Sequence, residues 1–174
     1  MSADTLQMAL GILLLPVLLL EILLATRWSA TYFSLGVPLF CARVSAPGSL
    51  GLDRVEEDLN LEFERRLWQP LIFRRVEAQT VGFRERFWPP VFFSYYVPLM
   101  HGRVRQPPGG GMQVQGRSNW ALPLILVLIG IGAYKQAPEL AGIWTLFVGV
   151  NYGLQVRRFR EVVRIIRSVG SEAA

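Results

Sequence analysis

The sequence predicts a membrane protein of α+β class. Three hydrophobic helices, an N-terminal span plus a C-terminal helical hairpin, hold a small antiparallel-sheet domain carrying one helix, and a basic amphipathic helix follows. Three observations carry this. Leu6 to Ala25 is a nearly unbroken apolar run, and Trp120 to Val156 is a second apolar region divided by a polar turn. Between them lie short alternating segments punctuated by Gly and Pro, the pattern of a small α+β domain. Hydrophobic residues make up 52% of the 174, above the roughly 45–50% usual in soluble domains.

Residues 1–26 form the first anchor. Leu6–Ala25 meets the ~20 residues needed to cross a ~30 Å hydrocarbon core. Met1–Thr5 contains Asp4 but no lysine or arginine, and no small-x-small cleavage site follows, which favours a retained helix over a cleaved signal. Glu21 lies inside this run, where an ionisable group costs about 2.5–3.5 kcal/mol at mid-helix. Its position near the predicted cytoplasmic end lets it reach the interface beside Arg27. Burial against another helix is the alternative, which would make it an arginine partner or a proton site.

Residues 27–119 form the predicted cytoplasmic α+β domain. Gly36–Val44 reads as a strand. In Asp53–Arg66, Val55, Leu59 and Phe63 recur every fourth residue, with acids early and arginines late, as in an amphipathic helix aligned with its dipole. Leu71–Val76 and Gln79–Phe87 read as strands, the latter alternating Val81, Phe83 and Phe87 against Thr80, Arg84 and Arg86. A longer strand runs from Val91 through Arg103. Pro107–Gly111 then turns the chain, and Met112–Arg117 returns antiparallel. Phe83, Phe87, Trp88, Phe92, Phe93, Tyr95 and Tyr96 are more aromatics than so small a sheet needs. Trp88, Phe92, Phe93, Tyr95 and Tyr96 are the candidate surface for a membrane or partner, with an aromatic core as the alternative.

Residues 120–156 form the hairpin. Tyr134–Glu139, with Pro138, breaks it into Trp120–Tyr134 and Leu140–Val156. At ~1.5 Å per residue both helices fall short of a ~30 Å span. Two complete crossings with local thinning, and a shallow hairpin, both stay open. Gly142, Gly149 and Gly153 offer small surfaces and Asn151 and Gln155 polar ones for helix packing, within the chain or with a partner.

In residues 157–174, Phe159, Val162, Val163 and Ile166 share one face and Arg157, Arg160, Arg164 and Arg167 another. The arginines are expected on anionic headgroups, with docking of the helix onto the domain as the alternative. Arginines retained on the cytoplasmic side orient the chain. The cluster after the hairpin, Arg117 before it and Arg27 all place the domain and C-terminus inside and the N-terminus outside a bacterial inner membrane.

Chemistry is sparse. His101 is the single histidine and Cys41 the single cysteine, too few for a metal cluster, a disulfide or a base–nucleophile arrangement. His101 reads as a hydrogen-bonded sheet residue. Gly109–Gly111 sits between strands with no nearby lysine, so it reads as a hairpin tip and not a phosphate loop. Glu56, Glu57, Asp58, Glu62 and Glu64 point in different directions on a helix and read as a solvated face. The net charge is +5 and Lys135 is the only lysine, and the basic residues are scattered or flank apolar segments, which favours headgroups over nucleic acid. The expectation is a non-catalytic accessory, assembly or scaffolding subunit of a bacterial membrane complex, without cofactor, contacting other membrane subunits. The alternative is a membrane-tethered binding or sensing module whose sheet recognises a lipid, peptide or small ligand.

Overall fold

A computed structural model describes residues 3–45, 51–64, 71–85, 99–108, 110–136 and 138–172. The elements run α1 (Ala3–Thr26), α2 (Ala30–Ser34), β1 (Pro38–Val44), α3 (Leu52–Glu64), β2 (Leu71–Glu77), β3 (Thr80–Glu85), β4 (Met100–Arg105), β5 (Met112–Ser118), α4 (Ala121–Gln136) and α5 (Pro138–Glu172). The chain is α+β, with one antiparallel sheet in the order β1-β5-β4-β3-β2. Met8–Thr26 is long and apolar enough to cross a membrane, and among the described residues it is the one helix that is.

Alternation along the strands sorts the sheet into two different faces. Val81, Phe83, Met100, Val104, Met112 and Val114 are buried beneath α3 and the C-terminal part of α5. Val55, Leu59 and Phe63 of α3 complete that core as their fourfold spacing predicts. α3 also secures an edge strand, because Asn60 Nδ2 donates to the Phe73 carbonyl and Asn60 Oδ1 accepts from the Phe73 N–H, both at 3.0 Å. Exposed strand edges template aggregation, and this amide occupies both backbone groups of one β2 residue.

Three strand glycines make room for aromatic rings. A Cβ on Gly102 would fall on the Phe83 ring, one on Gly116 on Phe159, and one on Gly82 on Phe33, 2.9 Å away. The first two contacts lie in the core. The third lies on the opposite face, where α2 crosses the sheet.

The predicted strand over Gly36–Val44 begins at Pro38, and Gly36 ahead of it has a positive φ of 99°. Of the long strand expected over Val91–Arg103, the described part is β4, which extends to Arg105; residues 91–98, with Phe92, Phe93, Tyr95 and Tyr96, and also Phe87 and Trp88, lie outside the described residues. The short α2 was not anticipated, since its Tyr32 and Phe33 carry no periodicity over five residues.

α4 and α5 form on either side of residue 137, but the second helix does not end at Val156. It continues to Glu172 as one helix of 35 residues, about 50 Å long at ~1.5 Å per residue. This corrects the expectation that the arginine-striped segment lies on lipid. Phe159, Val162 and Ile166 are at most 1% exposed within the sheet core, so its apolar face is committed to the domain. Arg157, Arg160, Arg164 and Arg167 point outward. Arg158 forms a half-hidden ion pair with Glu85 of β3, Nη1 to Oε2 at 2.7 Å. α4 packs against both α1 and α5.

Candidate functional site: the joint between the first helix and the sheet

The functional side chains converge where α1 meets the sheet. α1 ends in a left-handed turn: Ser29 N–H donates to Leu24 O at 3.0 Å and Trp28 N–H to Ala25 O at 3.2 Å. Such a Schellman turn favours glycine at the position with positive φ, yet here it is Trp28, at φ 54°. A side chain there costs roughly 1–2 kcal/mol. Packing offsets this cost: the Trp28 ring stacks on Phe33 at 5.5 Å, and the Arg84 guanidinium lies over it at 4.8 Å. Arg84 Nε also donates to the Ala25 carbonyl at 3.2 Å, placing a cation at the negative end of α1. Burial pushes the Arg84 guanidinium down from its ordinary value, with the nearby Tyr32 opposing.

Glu21 supplies the matching anion. It is 6% exposed, and its carboxylate accepts the Trp120 N–H at 2.8 Å and the Ala121 N–H at 3.1 Å. Those are orphan donors at the start of α4, where the helix dipole favours negative charge. The expectation that Glu21 reaches the interface beside Arg27 is therefore corrected. It is buried because the first turn of α4 offers it two donors, whereas Arg27 is exposed.

Close to Glu21, Tyr32 of α2 and Asn119 meet His101 of β4. The His101 ring is 1% exposed, with Nδ1 3.2 Å from Asn119 Oδ1 and Nε2 3.2 Å from the Leu35 carbonyl. Tyr32 packs against it at 4.2 Å between ring centres, and its hydroxyl donates to Asn119 Oδ1 at 3.5 Å. Burial holds His101 down to about 4, with Arg117 and Arg103 adding to the effect and its two hydrogen bonds opposing it. The imidazole is thus neutral near neutral pH. Burial, assisted by the charge of Glu21, pushes the Tyr32 phenol up, so it remains a donor. A cavity of about 160 Å³ opens beside these groups, lined by Leu18, Glu21, Ile22, Tyr32, Arg84 and Asn119 among others.

Chemically, this arrangement holds parts together. The carboxylate is satisfied by two amides, the imidazole is neutral, and the guanidinium caps a helix. Among the described residues, no three His, Cys, Asp or Glu side chains are grouped to hold a metal ion.

Other predicted contact residues divide. Gln155 is fully buried and works within the chain: its Oε1 accepts the Leu99 N–H at 2.9 Å and its Nε2 donates to the Met100 carbonyl at 3.4 Å. Asn151 is also buried, donating to the Phe147 carbonyl at 2.6 Å. Both side chains are covered by the chain itself. Gly142, Gly149 and Gly153 are exposed with open space where a Cβ would stand, so nothing described in this chain packs on them.

The sheet face opposite the core holds a feature that sequence reading did not single out. Arg43, Arg74, Arg103, Arg105 and Arg117 all point to it, by their alternation with buried core residues. The strict alternation of Met100, Gly102 and Val104 with His101, Arg103 and Arg105 was the available signal. Comparisons with protein-family models, curated proteins and solved structures return no match for this chain.

Proposed function

We propose that this chain is a membrane-anchored, non-catalytic accessory or assembly subunit of a larger bacterial membrane complex. The observation that carries the reading is the apolar surface left uncovered on its helices. Ile12, Leu15, Ile143 and Leu146 are each more than 60% exposed, and the glycine faces at Gly142, Gly149 and Gly153 stand open on the same helix as Ile143 and Leu146. Small residues allow close approach of helices in lipid, and these suit a helix from another subunit.

In this reading α1 spans the membrane of a bacterial cell with its N-terminus outside. α4 and the first part of α5 enter the bilayer as a hairpin, and the sheet domain lies on the cytoplasmic side. The buried polar joint at Glu21 and Arg84 serves to fix the domain to its anchor. Its satisfied hydrogen bonds support a structural role over a catalytic one, and nucleic acid is not the partner.

Extraction in mild detergent, native sizing and mass identification test this. A defined co-purifying set of membrane subunits is the expected result. A chain that runs alone at its own mass, without partners, overturns the reading.

A further inference from the structure

We infer that the sheet face opposite the core is a docking surface for an extended acidic segment of a partner protein, with carboxylates on alternate residues. The inference goes beyond the membrane-subunit reading, which rests on the helices. It is carried by the sheet alone.

Register defines the surface. Arg105 of β4 lies opposite Gln113 of β5, which lies opposite Arg43 of β1; Arg103 lies opposite Gln115 in the next row, and Arg117 follows beyond it on β5. Arg43 and Arg105 are exposed, and Arg103 and Arg117 half-buried. Glu77 is the acid whose charge acts on Arg103, and no ion pair joins these arginines to an acid among the described residues. Arg103 donates to Gln115 Oε1 at 2.9 Å and Arg117 to the Gly36 carbonyl at 2.9 Å, so both guanidiniums are held in place by neutral groups. Arg117 Nε is buried with no hydrogen-bond partner among the described residues. Burial, together with the like charges of Arg117 and Arg105, pushes Arg103 down, with Glu77 opposing, as expected of crowded, partly buried cations.

The spacing selects the ligand. Arg103 and Arg105 are two residues apart on one strand, about 6.8 Å, and Arg43 lies two strands from Arg105, about 10 Å. Carboxylates at alternate positions of an extended peptide repeat at the same ~6.8 Å, and arginine forks bind carboxylates two-pronged. Single-stranded nucleic acid would want exposed aromatic platforms, and among the described residues on this face Tyr32 and Phe33 are buried while the Trp28 ring is already stacked against Phe33 and Arg84. In the membrane-subunit reading, lipid is out of reach of Arg43 and Arg105, which share the Gln113 row at the far end of the strands. Arg84 ties β3 to the end of α1, beside the Met100 end of β4, and Arg105 stands about 17 Å further along that strand, beyond the ~8 Å screening length of physiological salt.

The test uses the full chain in uncharged detergent micelles and a fluorescent eight-residue peptide of alternating Glu and Thr. Binding weakened about tenfold or more by the Arg103→Gln/Arg105→Gln pair, and absent for the Gln–Thr peptide, supports the inference. Arg103→Lys/Arg105→Lys keeps the charge but not the fork, and an intermediate loss supports it further. Unchanged thermal midpoints guard against misfolding, with Arg43→Gln as the second variant if the pair fails to fold. Three results overturn it: no binding at low salt, binding indifferent to these arginines, or stronger arginine-dependent binding of an RNA oligomer or of anionic vesicles. Because no membrane partner takes part, failure here leaves the accessory-subunit reading standing, and the reverse also holds.

Discussion

Replacing Glu21 by Gln keeps the side chain's size and removes its charge at a position where both carboxylate oxygens are committed. The amide oxygen can still accept one of the two N–H groups at the start of α4, but its NH2 then faces the other donor. A hydrogen bond to a charged group is worth about 1.5–3 kcal/mol, and the surviving bond falls to the neutral value near 1 kcal/mol. The lost interaction with the helix dipole adds up to ~2 kcal/mol in buried geometry. We expect a net loss of about 3 kcal/mol. For a chain of this size, each kcal/mol moves the thermal midpoint by roughly 2–4 °C, so the midpoint should drop by about 6–12 °C. Intrinsic tryptophan fluorescence during heating in detergent reads this, since Trp120 supplies one of the N–H groups. Glu57→Gln, on the exposed face of α3, is the control and should stay within ~0.5 kcal/mol. If Glu21→Gln melts within about 2 °C of the native chain, Glu21 does not anchor α4.

Two further outcomes follow from the same packing. Gly102→Ala should destabilise by about 1–3 kcal/mol, because the new methyl group must displace the Phe83 ring. Combined with Phe83→Leu, the two losses should sum to at least ~1 kcal/mol less than their separate effects, and strict additivity in chemical denaturation would sink the account. His101 makes stability pH-dependent. Its folded value of about 4 lies below the ordinary 6.5, so the unfolded chain binds the proton first on acidification. The contribution is intact above pH 6.5 and falls towards pH 4, by about 3 kcal/mol in all. His101→Gln should flatten that part of the profile relative to the native chain; matching slopes between pH 6.5 and 4.5 would show that His101 is not the titrating group.

Local pattern made much of this fold legible. Fourfold spacing marked α3 because Val55, Leu59 and Phe63 face one core, and the apolar run marked α1 because lipid and protein interiors select the same residues. The return strand was recognisable over Met112–Arg117 from the turn ahead of it, and it ends one residue later, at Ser118. What escaped depends on partners distant in sequence. Glu21 could be seen to be costly, but not that α4, a hundred residues on, begins beneath it. Gln155 read as a helix-packing contact, within the chain or with a partner, because nothing local shows that it faces the Leu99 and Met100 backbone. α2 and the left-handed Trp28 were invisible for the same reason: a strained turn is held by Phe33 and Arg84, which periodicity cannot connect. The basic stripe of α5 was read correctly as amphipathic, yet amphipathicity alone does not distinguish lipid from a sheet as the apolar partner.

One unbroken helix joins the uncovered apolar surface at Leu146 and Val150 to Phe159 and Ile166 in the sheet core. With no hinge along it, the domain cannot swivel independently of the segment from which it projects. Its azimuth is set by the helical repeat of α5, so the arginine face looks out in a fixed compass direction relative to the glycine stripe. Inserting a single residue near Val156 would turn that direction by about 100°, and any assembly that grips both surfaces at once would read the change as a misalignment.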